Sequence, residues 1–197
     1  MNGSSLPSRS TSHSRLSRWS AENAPAAPGA AAPPVAPADD KLLPQSALFF
    51  ISYSRKNDLA HAQKLNEALR SLGVAEEQIW IDRDTLEPGD VYTQQILDGI
   101  RNCRYFLPIV SRAATQREKA FVFREWDEAT DQLREMNRKY LVPLVVDEDN
   151  VPESYDQASV RAWLERKINF GHAPGGVPDD TTREFIKGLL REARTRS

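Results

Sequence analysis

The stretch that decides the fold is Phe49-Phe50-Ile51-Ser52-Tyr53-Ser54-Arg55-Lys56-Asn57-Asp58. An apolar run ends abruptly in hydroxyls and an arginine, and an acidic residue then opens a helical pattern. This order is typical of a buried parallel strand, whose carboxyl end is where open α/β sheets bind their ligands. We therefore expect polar side chains at the end of a first, central strand.

Strand-like apolar runs and helical patterns alternate along the rest of the chain. Strands are predicted at 47–52, 78–81, 105–110, 140–146 and 167–170. Helices are predicted at 58–72, 91–102, 121–138, 157–166 and 181–193, with Gly73 ending the first. This alternation implies a flavodoxin-like, doubly wound α/β fold: a five-stranded parallel sheet in the order 2-1-3-4-5, with helices on both faces.

Composition narrows the class of protein. The chain has 197 residues, 27% charged and 40% hydrophobic, which suits one globular domain with an appendage. A formal net charge of −2 argues against broad nucleic-acid binding. The single cysteine, Cys103, excludes an internal disulfide and a cysteine-rich zinc site, and is expected in the core. Since no apolar run approaches the roughly 20 residues of a membrane span, the expected location is cytoplasmic.

Residues 1–44 differ from the remainder in composition. Serines and arginines come first, and an Ala/Pro-rich tract follows from Ala24 to Ala38. So few bulky apolar residues could not offset the entropy of ordering, and the segment is interpreted as a disordered tether. The arginine-rich start leaves an organelle transit peptide as an alternative. Residues 45–197 form the predicted domain.

Four segments in order carry a family resemblance. They are the stretch quoted above, Ile79–Asp82 with the loop 83–90, Phe106–Ser111, and Phe121–Trp126. Together they resemble the Toll/interleukin-1 receptor (TIR) domain family, above all its bacterial NAD-cleaving members, over roughly residues 47–170. The resemblance implies an NAD+ hydrolase, activated by self-assembly, that acts as an immune, antiviral or virulence effector. It would release nicotinamide and ADP-ribose or a cyclic ADP-ribose. The alternative is a non-catalytic adaptor that acts through contacts between TIR domains.

Glu125 is the candidate catalytic residue. The buried stripe of the fourth predicted helix is Val122, Trp126, Ala129, Leu133 and Met136. At ~100° per residue, Glu125 lies roughly 60° from the centre of that stripe, at its border. A solvated side chain is the ordinary expectation there. The resemblance instead implies a catalytic glutamate, with Phe121 at the aromatic position four residues before it; Glu128 is the alternative.

The resemblance implies NAD+ as the substrate. An ordinary dinucleotide cofactor site is not expected, because the chain contains no G-x-G-x-x-G fingerprint. No metal is expected. Hydroxyls, one aromatic ring and one cation could hold the ribose, base and pyrophosphate of NAD+. The candidate substrate-binding residues are Ser52, Tyr53, Ser54, Arg55, Asp82 and Ser111. The alternatives are that Ser54 or Asn57 caps the first helix, that Arg55 is solvated, and that Asp82 and Ser111 cap strand ends.

The loop 82–90 aligns with the loop through which TIR domains contact one another. Its candidate assembly residues are Leu86, Pro88 and Gly89. A loop that docks on a different surface of the next copy builds an open assembly. Other TIR domains are therefore the expected partners, by homo-oligomerisation, together with a separate sensor or downstream effector protein. A phosphate-receiving regulator is a third possibility, but it requires paired acids at the end of the first strand, where residues 49–54 have none.

Overall fold

A computed structural model describes residues 47–81, 94–117 and 120–195, which all belong to one compact unit. The predicted N-terminal tether and the start of the predicted domain at residue 45 lie outside the described residues. So do Asp82 and the predicted assembly residues Leu86, Pro88 and Gly89.

Five short parallel strands form the sheet. They are β1 (Phe49–Ser52), β2 (Ile79–Ile81), β3 (Tyr105–Val110), β4 (Leu144–Val145) and β5 (Gly171–His172). Their order is β2-β1-β3-β4-β5, and every pair is parallel. The predicted doubly wound fold and strand order are therefore confirmed, with β1 at an interior position between β2 and β3.

The described helices cover both faces of this sheet. They are α1 (Arg55–Ser71), α2 (Gln94–Asn102), α3 (Arg112–Thr115), α4 (Val122–Gln132), α5 (Ala158–Glu165) and α6 (Asp180–Arg194). Short 3-10 turns occur at Glu76–Gln78, Pro152–Ser154 and Pro174–Gly176. The sequence missed α3, because its one turn is too short to show a periodicity.

Alternation along the strands divides the core into two clusters. Phe49 and Ile51 pack on one face with residues of α1 and α6. Phe50 packs on the other face with residues of α2, α4 and α5. Cys103 and Trp126 are fully buried in this second cluster, as expected. Helices therefore shield both sides of β1, which explains its unbroken apolar sequence.

The last two strands differ from their predicted bounds. The fourth shrinks to two residues plus an isolated bridge at Leu141, because Pro143 has no N–H to donate to the ladder. The predicted strand at 167–170 is wrong, and β5 follows it at 171–172. Ile168 and Phe170 instead pack against the core. β5 passes so close to β4 that a Cβ on Gly171 would lie 2.7 Å from Leu144.

The helix that carries Glu125 is shorter than predicted. It ends at Gln132 and not at Arg138, although Leu133 and Met136 still pack against the core as the stripe predicted. The Arg138 guanidinium bonds instead to the carbonyls of Cys103 and Arg104, just after α2. These bonds tie the segment after α4 to the connection between α2 and β3.

Two glycines with positive φ frame helix α1. Gly73, at φ +88°, ends it as predicted, and the amides of Gly73 and Val74 bond to the carbonyls of Arg70 and Leu69. Gly176, at φ +92°, approaches the side of α1, where an added Cβ would lie 2.4 Å from the carbonyl oxygen of His61. The second glycine therefore permits a close backbone contact that any side chain would prevent.

Candidate functional site

Glu125 lies in the first turn of α4 and is only 3% exposed. Its carboxylate oxygen Oε2 accepts a hydrogen bond from the hydroxyl of Ser52, the last residue of β1. Ser52 is 1% exposed. The structure thus joins two polar side chains that are 73 residues apart, beneath the carboxyl edge of the sheet.

Local sequence explains how these two side chains face each other. Ser52 follows Phe50 by two positions, so both point to the sheet face that α4 covers. Glu125 precedes Trp126 on α4 and lies beside the buried stripe. The helices that follow β1 and β3 lie on opposite faces, which makes the gap between these strands the topological switch point. Doubly wound sheets bind ligands at such a point.

The other residues of the first-strand loop differ in burial. Tyr53 is 7% exposed and belongs to the core cluster on the opposite face, with α1 and α6. Arg55 is exposed at the start of α1. The Ser52 hydroxyl donates to the glutamate. The substrate-binding role of this loop stays a prediction.

The capping alternatives have mixed outcomes. Ser54 occupies the N-cap position of α1, but its hydroxyl makes no capping bond and is buried without a hydrogen-bond partner among the described groups. Asn57 donates its amide to the carbonyl of Ala113, at 2.6 Å, and so ties α1 to α3. Ser111 does cap: its hydroxyl accepts from the backbone N–H of Ala114 at 3.0 Å. The structural alternative for Ser111 is therefore confirmed.

Glu128, the rival acid, points elsewhere. Its carboxylate accepts a hydrogen bond from Arg101 of α2 at 2.7 Å, in a pair that is partly exposed. Glu128 lies one turn after Glu125 on α4, and its bond to a surface guanidinium is a structural ion pair. The geometry therefore favours Glu125 over Glu128 as the acid at the topological switch point between β1 and β3.

A second buried carboxylate, Asp58, was missed from the sequence. It is fully buried on α1, where Oδ1 lies 3.3 Å from Nδ1 of His61 and Oδ2 has no described partner. Burial raises the pKa of Asp58 above its usual value, and hydrogen bonds from Ser111 and His61 offset only part of that rise. One signal could have revealed it: counting back from Leu65 by helical intervals puts residue 58 on the apolar stripe.

A shallow cavity of 480 Å³ opens between the carboxyl ends of β3 and β4. Its lining includes Arg112, Arg117 and Tyr155, and contains neither Ser52 nor Glu125. Arg112 bonds through both guanidinium nitrogens to Asp149, and the Tyr155 hydroxyl bonds to Asp147 at 2.7 Å. These bonds tie the segments after β3 and β4 together, so much of the polar lining already has protein partners.

The described residues offer neither a cluster of metal ligands nor a helix that could cross a membrane. Among residues 47–81, 94–117 and 120–195, no three His, Cys, Asp or Glu side chains lie close enough together to hold a metal ion. None of the helices in these same ranges combines the length and the apolar character that crossing a bilayer demands. Fold and site together define a doubly wound α/β domain that holds a buried glutamate where its strand order reverses.

Comparison with known proteins places this class more narrowly. The family model for the TIR domain matches residues 49–172. Among solved structures, the chain is similar to the TIR domains of the activated Roq1 resistosome directly recognizing the pathogen effector XopQ. That likeness has a TM-score of 0.43 and 15% identity, over 73% of this chain and 82% of that one. No curated protein matches the chain. Because the family match spans more than half of its residues, the protein belongs to the TIR domain family.

Proposed function

We propose that this protein is a TIR-domain NAD+ hydrolase and that Glu125 is its catalytic carboxylate. The observation that carries the proposal is the buried contact between Glu125 and Ser52 at the topological switch point. An ionisable group held out of water at the ligand-binding edge of a doubly wound sheet is a candidate for chemistry. Membership of the TIR domain family supports the choice of NAD+ as the substrate.

The proposed reaction asks for one well-placed negative charge. The bond between ribose C1′ and the nicotinamide nitrogen breaks, and its electron pair stays with the ring, which leaves as a neutral molecule without an acid. The sugar becomes oxocarbenium-like, as in glycoside hydrolysis. The Glu125 carboxylate stabilises that positive charge electrostatically. Water then bonds to C1′ and loses its proton to solvent; attack by a group of the same nucleotide gives a cyclic product instead.

The remaining substrate contacts are assigned by charge and exposure. Arg55, exposed at the start of α1, carries the charge that suits a pyrophosphate. Asp82 stays a candidate for the ribose, although it lies outside the described residues. Tyr53 is embedded in the core of the opposite face, so we do not assign it to base stacking.

The burial of Glu125 supports activation by assembly. A carboxylate that is 3% exposed is poorly reached by substrate in the isolated domain, so the free protein should be weakly active. We propose that clustering through Leu86, Pro88 and Gly89 rearranges the cleft and raises activity. A separate sensor protein would then control the enzyme by concentrating it, in an immune, antiviral or virulence response in the cytoplasm.

The test compares two glutamates on one helix. Full-length protein is clustered at high concentration and incubated with NAD+, and released nicotinamide is measured. Wild type and Glu128→Gln should both release it, whereas Glu125→Gln should lose activity by about 100-fold or more. No release from clustered wild type would sink the enzyme and leave the adaptor. Equal release from Glu125→Gln would show that another residue carries the charge.

A further inference from the structure

The hydroxyl of Ser52 has one hydrogen, and the structure shows where it goes. It donates to Oε2 of Glu125, and both side chains are at most 3% exposed. A serine that donates to a carboxylate has only lone pairs left for a substrate. The sequence assigned Ser52 to substrate binding, but this contact gives it a different task.

We propose that Ser52 is a positioning residue, which holds the Glu125 carboxylate ionised and directed towards the topological switch point between β1 and β3. This inference rests on the proposed function. A hydrogen bond donated to a carboxylate favours the charged form, and the charged form is the one that stabilises an oxocarbenium-like ribose. Burial acts in the opposite direction, so a buried carboxylate without such a donor would tend to take up a proton.

Packing fixes the strand end that carries the donor. Ser52 ends an interior strand and lies in register with Pro108 of β3. Two positions earlier on the same face, Phe50 stacks between Trp80 and Phe106, with ring centroids 5.6 and 5.4 Å away. The hydroxyl therefore projects from a strand whose next residue on this face lies between two aromatic rings.

Glu125 reaches this strand end from the start of a helix. It lies in the first turn of α4, whose N-cap residue, Phe121, makes no side-chain capping bond. A glutamate side chain is long and has several rotamers. A bond from a fixed strand end selects one of them, which is how a supporting residue makes a catalytic geometry exact enough to work.

The same helix provides a matched control. Ser159 of α5 is 2% exposed, and its hydroxyl donates to a carboxylate oxygen of Asp127 at 2.8 Å. The donor and acceptor groups are of the same types, and the acceptor lies two residues after Glu125, although Asp127 is exposed. Ser159→Ala therefore removes a serine–carboxylate bond from α4 without touching the proposed site.

The experiment first measures the carboxyl group without using activity. Full-length protein labelled with ¹³C at glutamate side-chain carboxyls is titrated by NMR, and the Glu125 signal is assigned by its loss in Glu125→Gln. In Ser52→Ala its titration midpoint should rise by about one to two pH units, because hydrogen bonds to charged groups have about that strength. Ser52→Thr, which keeps a hydroxyl, should have a titration midpoint close to that of wild type. Ser159→Ala should leave the midpoint unchanged.

Kinetics provide the second readout. In Ser52→Ala the acidic limb of the pH profile for nicotinamide release should move upward by the same interval, with kcat reduced and KM little changed. An unchanged midpoint in a folded Ser52→Ala protein overturns the inference. If Ser52→Ala does not fold, Ser52→Cys, a weaker donor, should give an intermediate midpoint, and a wild-type midpoint there overturns the inference equally. Absence of nicotinamide release from wild type refutes the proposed function, whereas the titration still decides whether Ser52 controls Glu125.

Discussion

Helices α1 and α4 each carry a buried carboxylate to the same edge of the sheet, but from opposite faces. On α4, Glu125 is 3% exposed and accepts a hydrogen bond from Ser52. On α1, Asp58 has no exposed surface, faces His61, and keeps Oδ2 without a described partner. The comparison teaches that burial alone does not identify a catalytic acid, since two acids share it and only one is held by a donor at the end of β1.

Position on the helix explains the difference. Glu125 lies beside the stripe that contains Trp126, so its carboxylate reaches the strand end. Asp58 lies within the stripe of α1, one turn before Ala62, where desolvation dominates and raises its pKa. Desolvation thus opposes the charged form that a developing positive charge requires. We therefore interpret Asp58 as a structural acid.

The largest expected effect separates the two acids by activity. Glu125→Gln and Asp58→Asn are isosteric changes that each replace one carboxyl group by an amide. The first should lower kcat for nicotinamide release by about 100-fold or more, because it removes charge stabilisation in the transition state. The second should change it by less than about tenfold, or about 1.4 kcal/mol of barrier. A reversed order of the two activities would exchange their roles.

The next effect tests the close approach of Gly176 to His61 on α1, the helix that carries Asp58. Gly176→Ala should lower the free energy of unfolding by about 2–4 kcal/mol, because its Cβ meets the backbone of His61 and its φ is positive. Gly73→Ala is the matched control: its φ is similar but nothing lies within 4 Å, so about 1–2 kcal/mol is expected. Denaturant melts of both variants measure the difference. Equal losses would mean that the contact with α1 is looser than the structure shows.

A third, smaller effect concerns pH. Because the pKa of Asp58 is raised on folding, its contribution to stability is complete below the ordinary value of 3.8 and is lost as pH rises through the folded value. Wild type should therefore lose stability relative to Asp58→Asn as pH rises from about 4 towards neutrality. His61 and Asp147 also act on this carboxyl, so His61→Gln should be measured beside it. Parallel stability curves for wild type and Asp58→Asn would contradict this account.

The smallest effect has the opposite sign. The Arg112 guanidinium holds the pKa of Asp149 below its ordinary value. The ion pair therefore stabilises the folded protein at pH above the pKa of Asp149 in the unfolded chain. This stabilisation is lost as pH falls through the pKa of Asp149 in the folded protein. Both side chains are largely exposed, and solvent screens the pair. Asp149→Asn should therefore cost little at neutral pH and nothing in acid. A thermal melt at each pH measures this, and a large loss would show that the ties between the ends of β3 and β4 support the fold.

Much of the fold could be predicted because its signals are local. The apolar run 49–51 and the hydroxyls after it indicated an interior parallel strand, and alternation of elements indicated the sheet order. Strand ends were harder to predict. Ile168 and Phe170 look like an edge strand, but their apolar side chains serve the core while Gly171 and His172 make the ladder.

The candidate site was predictable only in part. The border position of Glu125 followed from helical periodicity, and it is indeed placed where it can meet the strand end. Period-two alternation places Tyr53 on the face opposite Ser52, and its predicted contact with substrate stays a prediction. Asp58 escaped notice because an acid near a helix start is ordinarily a solvated residue that favours the helix dipole.

The sequence by itself determined the class of sheet, the order of its strands and the helix edge on which Glu125 lies, because periodicity records which face of each element is buried. Tertiary structure alone decided that Ser52 donates to Glu125, that Asp58 on α1 is fully buried, and that β5 begins at Gly171. Those outcomes depend on how distant elements pack against one another, and a pattern within one element contains no record of its neighbour across the sheet.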